Sequence, residues 1–205
     1  MRVFVLTTGR AASTTFAEAC HHIDGMSAGH ESRRAMIEQR LDYPDRHIEV
    51  DNRLAWFLGS LDHLYTDADT FYVHLTRDPE QVARSYRERW HLRVSAVRAF
   101  YHGVLMHRHK PDADAALRAC RLFVETVNDN IRFFLAQRDN WVHVRIENLE
   151  ADFFRFMDRA GLTGDREKIA TVLRQTSNIS KRRHKKPGIL KRLRYRISRN
   201  RLDLS

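Results

Sequence analysis

Val3-Phe4-Val5-Leu6-Thr7-Thr8-Gly9-Arg10-Ala11-Ala12-Ser13-Thr14-Thr15-Phe16 opens on four apolar residues, crosses a hydroxyl-rich stretch with one glycine, and enters a helical pattern running to about His22. A strand, a tight turn and a helix start make a phosphate cradle. The first N–H groups of a helix have no partner within it, and the helix dipole adds roughly half a positive charge there. Arg10 and the hydroxyls of Ser13, Thr14 and Thr15 supply further donors. The segment departs from the G-x-x-x-x-G-K-[ST] loop of ATP- and GTP-cleaving proteins, because Thr14 and Thr15 stand where Gly-Lys would be. The usual reader of a γ-phosphate is missing.

A second stretch, Phe71-Tyr72-Val73-His74-Leu75-Thr76-Arg77-Asp78-Pro79-Glu80-Gln81-Val82-Ala83-Arg84-Ser85-Tyr86, has the same form of strand, turn and helix. Asp78 suits an N-cap, Pro79 the first helical position, and Gln81 the place of a capping-box partner. Arg77 then falls at the carboxyl end of the strand and Ser85 two turns into the helix. In open α/β sheets that edge is where ligands bind. The forked donors of a guanidinium match phosphate oxygens, so Arg77 and Ser85 can grip a second phosphate.

Together the two segments resemble the nucleotide-binding motifs of the PAPS-dependent sulfotransferase family, of the bacterial and carbohydrate-sulfotransferase kind. In that family an R-S-G-[ST]-T core holds the 5′-phosphosulfate and a later R-D-P-x-x-x-x-x-S segment holds the 3′-phosphate. Arg10, Ser13 and Thr14 fall on the first pattern, with Ala11 and Ala12 in place of its Ser-Gly, and Arg77 through Ser85 match the second in full. The loop glycine of the family often supplies a positive φ or a close backbone approach. Its loss predicts either a reshaped loop, with Ala12 in an ordinary conformation, or weakened binding. The resemblance covers residues 1 to 90 well and the remainder loosely. It implies a P-loop-like α/β fold, PAPS as sulfuryl donor, PAP as product, no metal, and in-line transfer to a hydroxyl (or amine) of a carbohydrate, lipid or small-metabolite acceptor.

Sulfuryl transfer needs a base for the acceptor hydroxyl, and four residues after the second and third strand candidates are eligible: His30, Glu31, Glu49 and Asp51. The His30-Glu31-Ser32 stretch resembles the segment after the second strand of the bacterial and carbohydrate enzymes, which favours Glu31 with His30 close behind. One polar group of Glu49-Val50-Asp51-Asn52-Arg53 is expected to face the acceptor. Arg10 would bridge the leaving oxygen and stabilise the charge that develops on it.

The chain has 205 residues, 42% hydrophobic and 30% charged, in the range of a globular domain with a sizeable core. Apolar runs of membrane-spanning length are lacking, and Val3–Leu6 is too short for a signal sequence. Cys20 and Cys120 do not make a disulfide framework, so a cytoplasmic protein is expected. The net charge of +10 is concentrated: eleven Lys or Arg and no acid lie between Lys181 and Arg201, leaving the rest near −1. This tail suits nucleic acid, an anionic membrane surface, an acidic partner or the 3′-phosphate itself. By the resemblance, Ser177 to Arg183, with Lys181 and Arg182, is where a basic segment would close over the nucleotide. Leu190, Leu193, Ile197 and Leu202 add a thin apolar stripe that permits an amphipathic basic helix.

Further strand candidates are Arg46 to Val50, Trp141 to Ile146 and, more weakly, Met26 to Ala28. Helical patterns cover Leu54 to Leu64, Pro79 to Phe100, Asp112 to Arg138, Leu149 to Ala160 and Asp165 to Arg174. Alternation of this kind predicts a parallel sheet flanked by helices, in a single domain over residues 1–176 followed by a basic segment, 177–205. A helical stretch over about 90–138 is expected as the acceptor-side cap. Phe123, Val127, Ile131, Phe134 and Leu135 repeat at helical spacing and read as core. His102, His107 and His109 fit no common metal-ligand spacing. Glu147, after the Trp141 strand, reads as a helix-capping residue. Two other classes stay open: a nucleotide kinase, disfavoured by the missing lysine and magnesium-binding aspartate, and a nucleic-acid-binding protein, disfavoured because the charge is confined to the tail and Tyr195 alone interleaves it.

Overall fold

A computed structural model describes residues 1–65 and 70–183, with side-chain contacts through Gln175. The chain divides into two units, Met1–Leu173 and Arg174–Ser205. The first holds five strands: β1 (Arg2–Thr7), β2 (Ser27–His30), β3 (His47–Val50), β4 (Thr70–Thr76) and β5 (Trp141–Arg145). All pair in parallel in the order β2-β3-β1-β4-β5, so the segment that opens the sequence forms the centre of the sheet. Parallel sheets are covered on both faces, which is why Val3 to Leu6 is continuously apolar instead of alternating with polar residues. Successive side chains enter opposite layers. Val3 and Val5 join Phe16, Phe153, Phe156 and Ile169 on one side, and Phe4 and Leu6 join Val82, Phe123, Val127 and Ile131 on the other.

The first layer comes from α1 (Ser13–Cys20), α6 (Leu149–Arg159) and the start of α7 (Arg166–Arg183). The second comes from α2 (Leu58–Leu64), α3 (Pro79–Glu88), α4 (Ala96–Ala99) and α5 (Ala113–Leu135). The five residues read as a core stripe on α5 are all buried. Within the 90–138 stretch expected as a cap, α5 is therefore part of the core layer, and the segment that leaves the body is shorter.

Three helices differ from expectation. The pattern from Pro79 breaks at Glu88, because the buried stripe of Val82, Ala83 and Tyr86 ends there while Leu92 and Val94 lie exposed. Helix resumes only at Ala96 and passes into a π turn, Phe100–Val104. The pattern from Leu54 also splits: Asp51 caps a 3-10 turn, Asn52–Trp56, by accepting the N–H of Arg53 at 2.8 Å, and α2 starts only at Leu58. α7 is longer than expected. Lys181 and Arg182 lie in its backbone span, but their side chains, and the stripe from Leu190 to Leu202, are outside the described residues.

No helix among the described residues is long and apolar enough to cross a membrane. Nor does any group of three His, Cys, Asp or Glu there form a metal cluster. His102 instead hydrogen-bonds the carbonyl of His107 through Nδ1 at 2.7 Å, and the His107 ring stacks on Tyr101.

The core contains one titration-sensitive element. His74 on β4 is 4% exposed and bonded to Asn128, and burial, above all, pushes its pKa down to about 4. The folded protein thus resists a proton that the unfolded chain accepts near pH 6.5, so stability is retained above that value and lost as pH falls toward about 4. His74→Gln is expected to flatten this loss in thermal denaturation at stepped pH. An unchanged slope would assign acid sensitivity to other groups.

Candidate functional site

Both resembling motifs emerge at the carboxyl edge of the central strands, and the loop between β1 and α1 is held by side chains from its neighbours. Tyr86 of α3 donates its hydroxyl to the carbonyl of Thr8 at 2.6 Å, and burial raises the pKa of that phenol, keeping it a donor. Gly9 follows with φ 77°, and a Cβ there would stand 2.7 Å from the Tyr86 hydroxyl and 3.1 Å from Asn52 Nδ2. Only glycine fits. Arg10 (φ 62°) and Ala12 (φ 59°) are also left-handed. Left-handed residues ahead of a helix start are the kind of backbone from which anion-binding concavities are built.

Ala12 does not adopt an ordinary conformation. It keeps the left-handed backbone that favours glycine, and forms the N-cap of α1 without any side-chain cap. For an L-residue that conformation costs about 1–2 kcal/mol. Ala12→Gly is expected to raise stability by up to about 1 kcal/mol, the gain being reduced by the freer unfolded chain. Denaturant titration would show it as a higher midpoint, and a lower one would mean the Ala12 methyl contributes packing that outweighs its strain.

The structure brings the two motifs into contact. Arg10 Nε donates to Ser85 Oγ at 3.2 Å, and Arg77 Nη1 reaches the carbonyl of Arg10 at 3.4 Å. Arg77 is further oriented by Gln81 Oε1, 2.8 Å from Nη2. That occupies the side chain expected to complete the capping box. Asp78 still caps α3 through the N–H of Gln81 at 2.8 Å, but its own N–H is taken by Glu147 Oε1 at 2.9 Å, so the capping role of Glu147 is exercised across the sheet edge.

The acid–base candidates separate into two pairs. His30, exposed, places Nε2 3.0 Å from Ser13 Oγ in the first turn of α1, which Thr14 and Thr15 share. Glu31 is left-handed (φ 53°) and pairs with Arg53 Nη2 at 2.7 Å. Glu49 and Asp51, by contrast, are fully buried. Burial pushes the Glu49 carboxyl up, but hydrogen bonds from His47 and Ser32 outweigh it and hold the pKa below the usual range. Asp51 accepts from Arg40 Nη2 at 2.5 Å and from the N–H of Arg53 at 2.8 Å. Both oxygens of each group are engaged, so Glu49 and Asp51 support the β2–β3 edge and do not present a free carboxylate to a ligand. Of the stretch Glu49 to Arg53, the polar group that lines an open cavity is Arg53, whereas Glu49 and Asp51 as base candidates are engaged elsewhere.

Sequence reasoning missed Tyr86 and Arg40, and named Asn52 and Arg53 only as members of a stretch. Tyr86 adjoins Ser85 and could have been found on the buried stripe of α3. Arg40 carries no pattern, because its role depends on contact with another element.

No family model matches the chain, and no curated protein matches it. Solved structures are similar. The sulfotransferase domain from the curacin biosynthetic pathway superposes with a TM-score of 0.51 at 14% identity, over 80% of this chain and 74% of that one. Mouse sulfotransferase SULT7A1, in a complex with PAP, gives 0.50 at 12% identity over 85% and 64%. The chain has the sulfotransferase fold. In this chain the β1–α1 loop and the Arg77–Ser85 segment follow the adjacent strands β1 and β4. At such identities the likeness concerns architecture, and activity has to be argued from the site.

Proposed function

We propose that the chain is a PAPS-dependent sulfotransferase acting on a hydroxyl-bearing acceptor. The observation that carries this is the contact between the two anion-binding motifs: Arg10 to Ser85, and Arg77 to the Arg10 carbonyl. A nucleotide with phosphates at both 5′ and 3′ positions needs two such sites held side by side. The α1 N-terminus with Arg10, Ser13, Thr14 and Thr15 would hold the 5′-phosphosulfate, and Arg77 with Ser85 the 3′-phosphate. The donor set fits the group, being cationic and rich in N–H and hydroxyl donors.

PAPS supplies the sulfuryl group and leaves as PAP. Glu31 takes the proton of the acceptor hydroxyl as its oxygen bonds to sulfur, and His30 steadies the loop through Ser13. Arg10 and the first-turn N–H groups receive the charge that builds on the 5′-phosphate as the sulfur–oxygen bond breaks. The basic tail is proposed as a contact for an anionic membrane surface or acidic partner. A cytoplasmic location is part of the proposal.

Calorimetric titration with PAP beside ADP and AMP tests the reading. Selective binding of PAP supports it, and equal binding of all three would end it. Glu31→Gln is expected to depress turnover while leaving PAP affinity nearly intact. If turnover were unchanged and His30→Gln removed it, the base would be His30.

A further inference from the structure

Arg53, which pairs with Glu31 at 2.7 Å, also lines a cavity of about 680 Å³ that the nucleotide motifs do not use. Its size lies within the range of small-molecule sites, roughly 300–1,000 Å³. Trp56 and Phe57 from the 3-10 turn region form one wall. Val94, Phe100 and Val104, on the segment that departs from α3 and ends in the π turn, form the other. The rim is apolar and exposed, with Val94 at 97% and Val104 at 59%. π turns interrupt a regular helix at a cost and recur at functional sites.

The charged side chains of this cavity share one sign. Arg53, Arg93 and Arg98 line it, together with His102 and Ser95, and no carboxylate among the described residues does. Arg53 is already paired with Glu31 and Asp51. Arg98 is not paired: its Nη1 donates to the carbonyl of Leu92 at 3.0 Å, and its buried Nε–H has no acceptor among the described residues. A buried cationic donor without an acceptor is costly, and an incoming anion would remove that cost. Arg93 likewise makes no ion pair among the described residues.

We infer that the acceptor is an amphiphile with an apolar body and an acidic group. The body lies against Trp56, Phe57 and Phe100, the acid is held by Arg98 and Arg93, and the hydroxyl is turned to Glu31 past Arg53. This rests on the sulfotransferase reading, since it gives the cavity the role of acceptor site. The reaction would form the bond between acceptor oxygen and sulfur, break that between sulfur and the 5′-phosphate oxygen, and pass the hydroxyl proton to Glu31.

The test compares 10-hydroxydecanoate with decane-1,10-diol, which has the same chain and a terminal hydroxyl but no charge. Each is titrated calorimetrically into the full chain saturated with PAP. Wild type is expected to bind the carboxylate about tenfold or more tightly than the diol, as a charge-assisted hydrogen bond provides. Arg98→Met should bring the ratio near one without changing PAP affinity, and Arg93→Gln, on the exposed rim, should lower it in part. Equal affinity for acid and diol in wild type, with PAP bound, overturns the acidic acceptor and leaves the sulfotransferase reading standing. Failure of PAP to bind overturns that reading, and the acceptor role with it, whatever the carboxylate does.

Discussion

Arg77→Ala is expected to lower PAP affinity by about 10- to 100-fold while changing ADP affinity by no more than about threefold. The guanidinium stands after β4, oriented by Gln81 and in reach of the Arg10 carbonyl, and a 3′-phosphate would exchange those neutral partners for a charged one. ADP lacks that phosphate and would lose only the indirect support Arg77 gives the loop. Arg10→Ala provides the contrast. Because Arg10 belongs to the 5′ site, its loss should weaken PAP and ADP together. Calorimetry on both variants reads the difference directly, and an equal loss for the two nucleotides in Arg77→Ala would remove Arg77 from the 3′-phosphate.

Asp51→Asn is expected to destabilise the fold by about 3–5 kcal/mol, the cost of stripping a buried cation of its partner. Asp51 is fully buried and Arg40 almost so, and the carboxylate also caps the 3-10 turn through the N–H of Arg53. Asparagine keeps the shape but loses the charge, leaving the Arg40 guanidinium with neutral partners, the Tyr43 hydroxyl at 3.0 Å among them. Denaturant unfolding should show a large drop in midpoint at constant slope, and PAP at saturation should restore part of it by mass action. A variant of normal stability with lost turnover would reverse the assignment and return Asp51 to the acid–base candidates.

These two residues also mark the boundary between what could be read and what could not. Arg77 was legible because its position depends on local rules: a strand ends, Asp78 caps, Pro79 starts a helix, and whatever precedes them must stand at the sheet edge. Asp51 followed a strand to the same edge and looked equally eligible. Its partner Arg40 lies in the long connection between β2 and β3, and neither propensity nor spacing announces that the two meet.

Four of the five strands, the parallel alternation and the two turns at the sheet edge follow from hydrophobic patterning and capping chemistry, which act over a few residues and are written locally in the chain, whereas β2, Ser27-Ala28-Gly29-His30, gave only a weak signal. Helix ends and the division of labour among carboxylates do not. α3 stops where tertiary burial stops, not where helix propensity fails, and Ala12 holds a backbone conformation that its own side chain disfavours because Tyr86, Gly9 and α1 determine the loop around it. Likewise Glu31 and Asp51 differ in what packs against them: one is partly exposed and paired with Arg53, the other is fully buried between Arg40 and Arg53. Burial and pairing depend on residues distant in sequence, so the sequence alone determined the sheet and its two anion-binding edges, and the tertiary structure decided which of the polar groups gathered there remain available for chemistry.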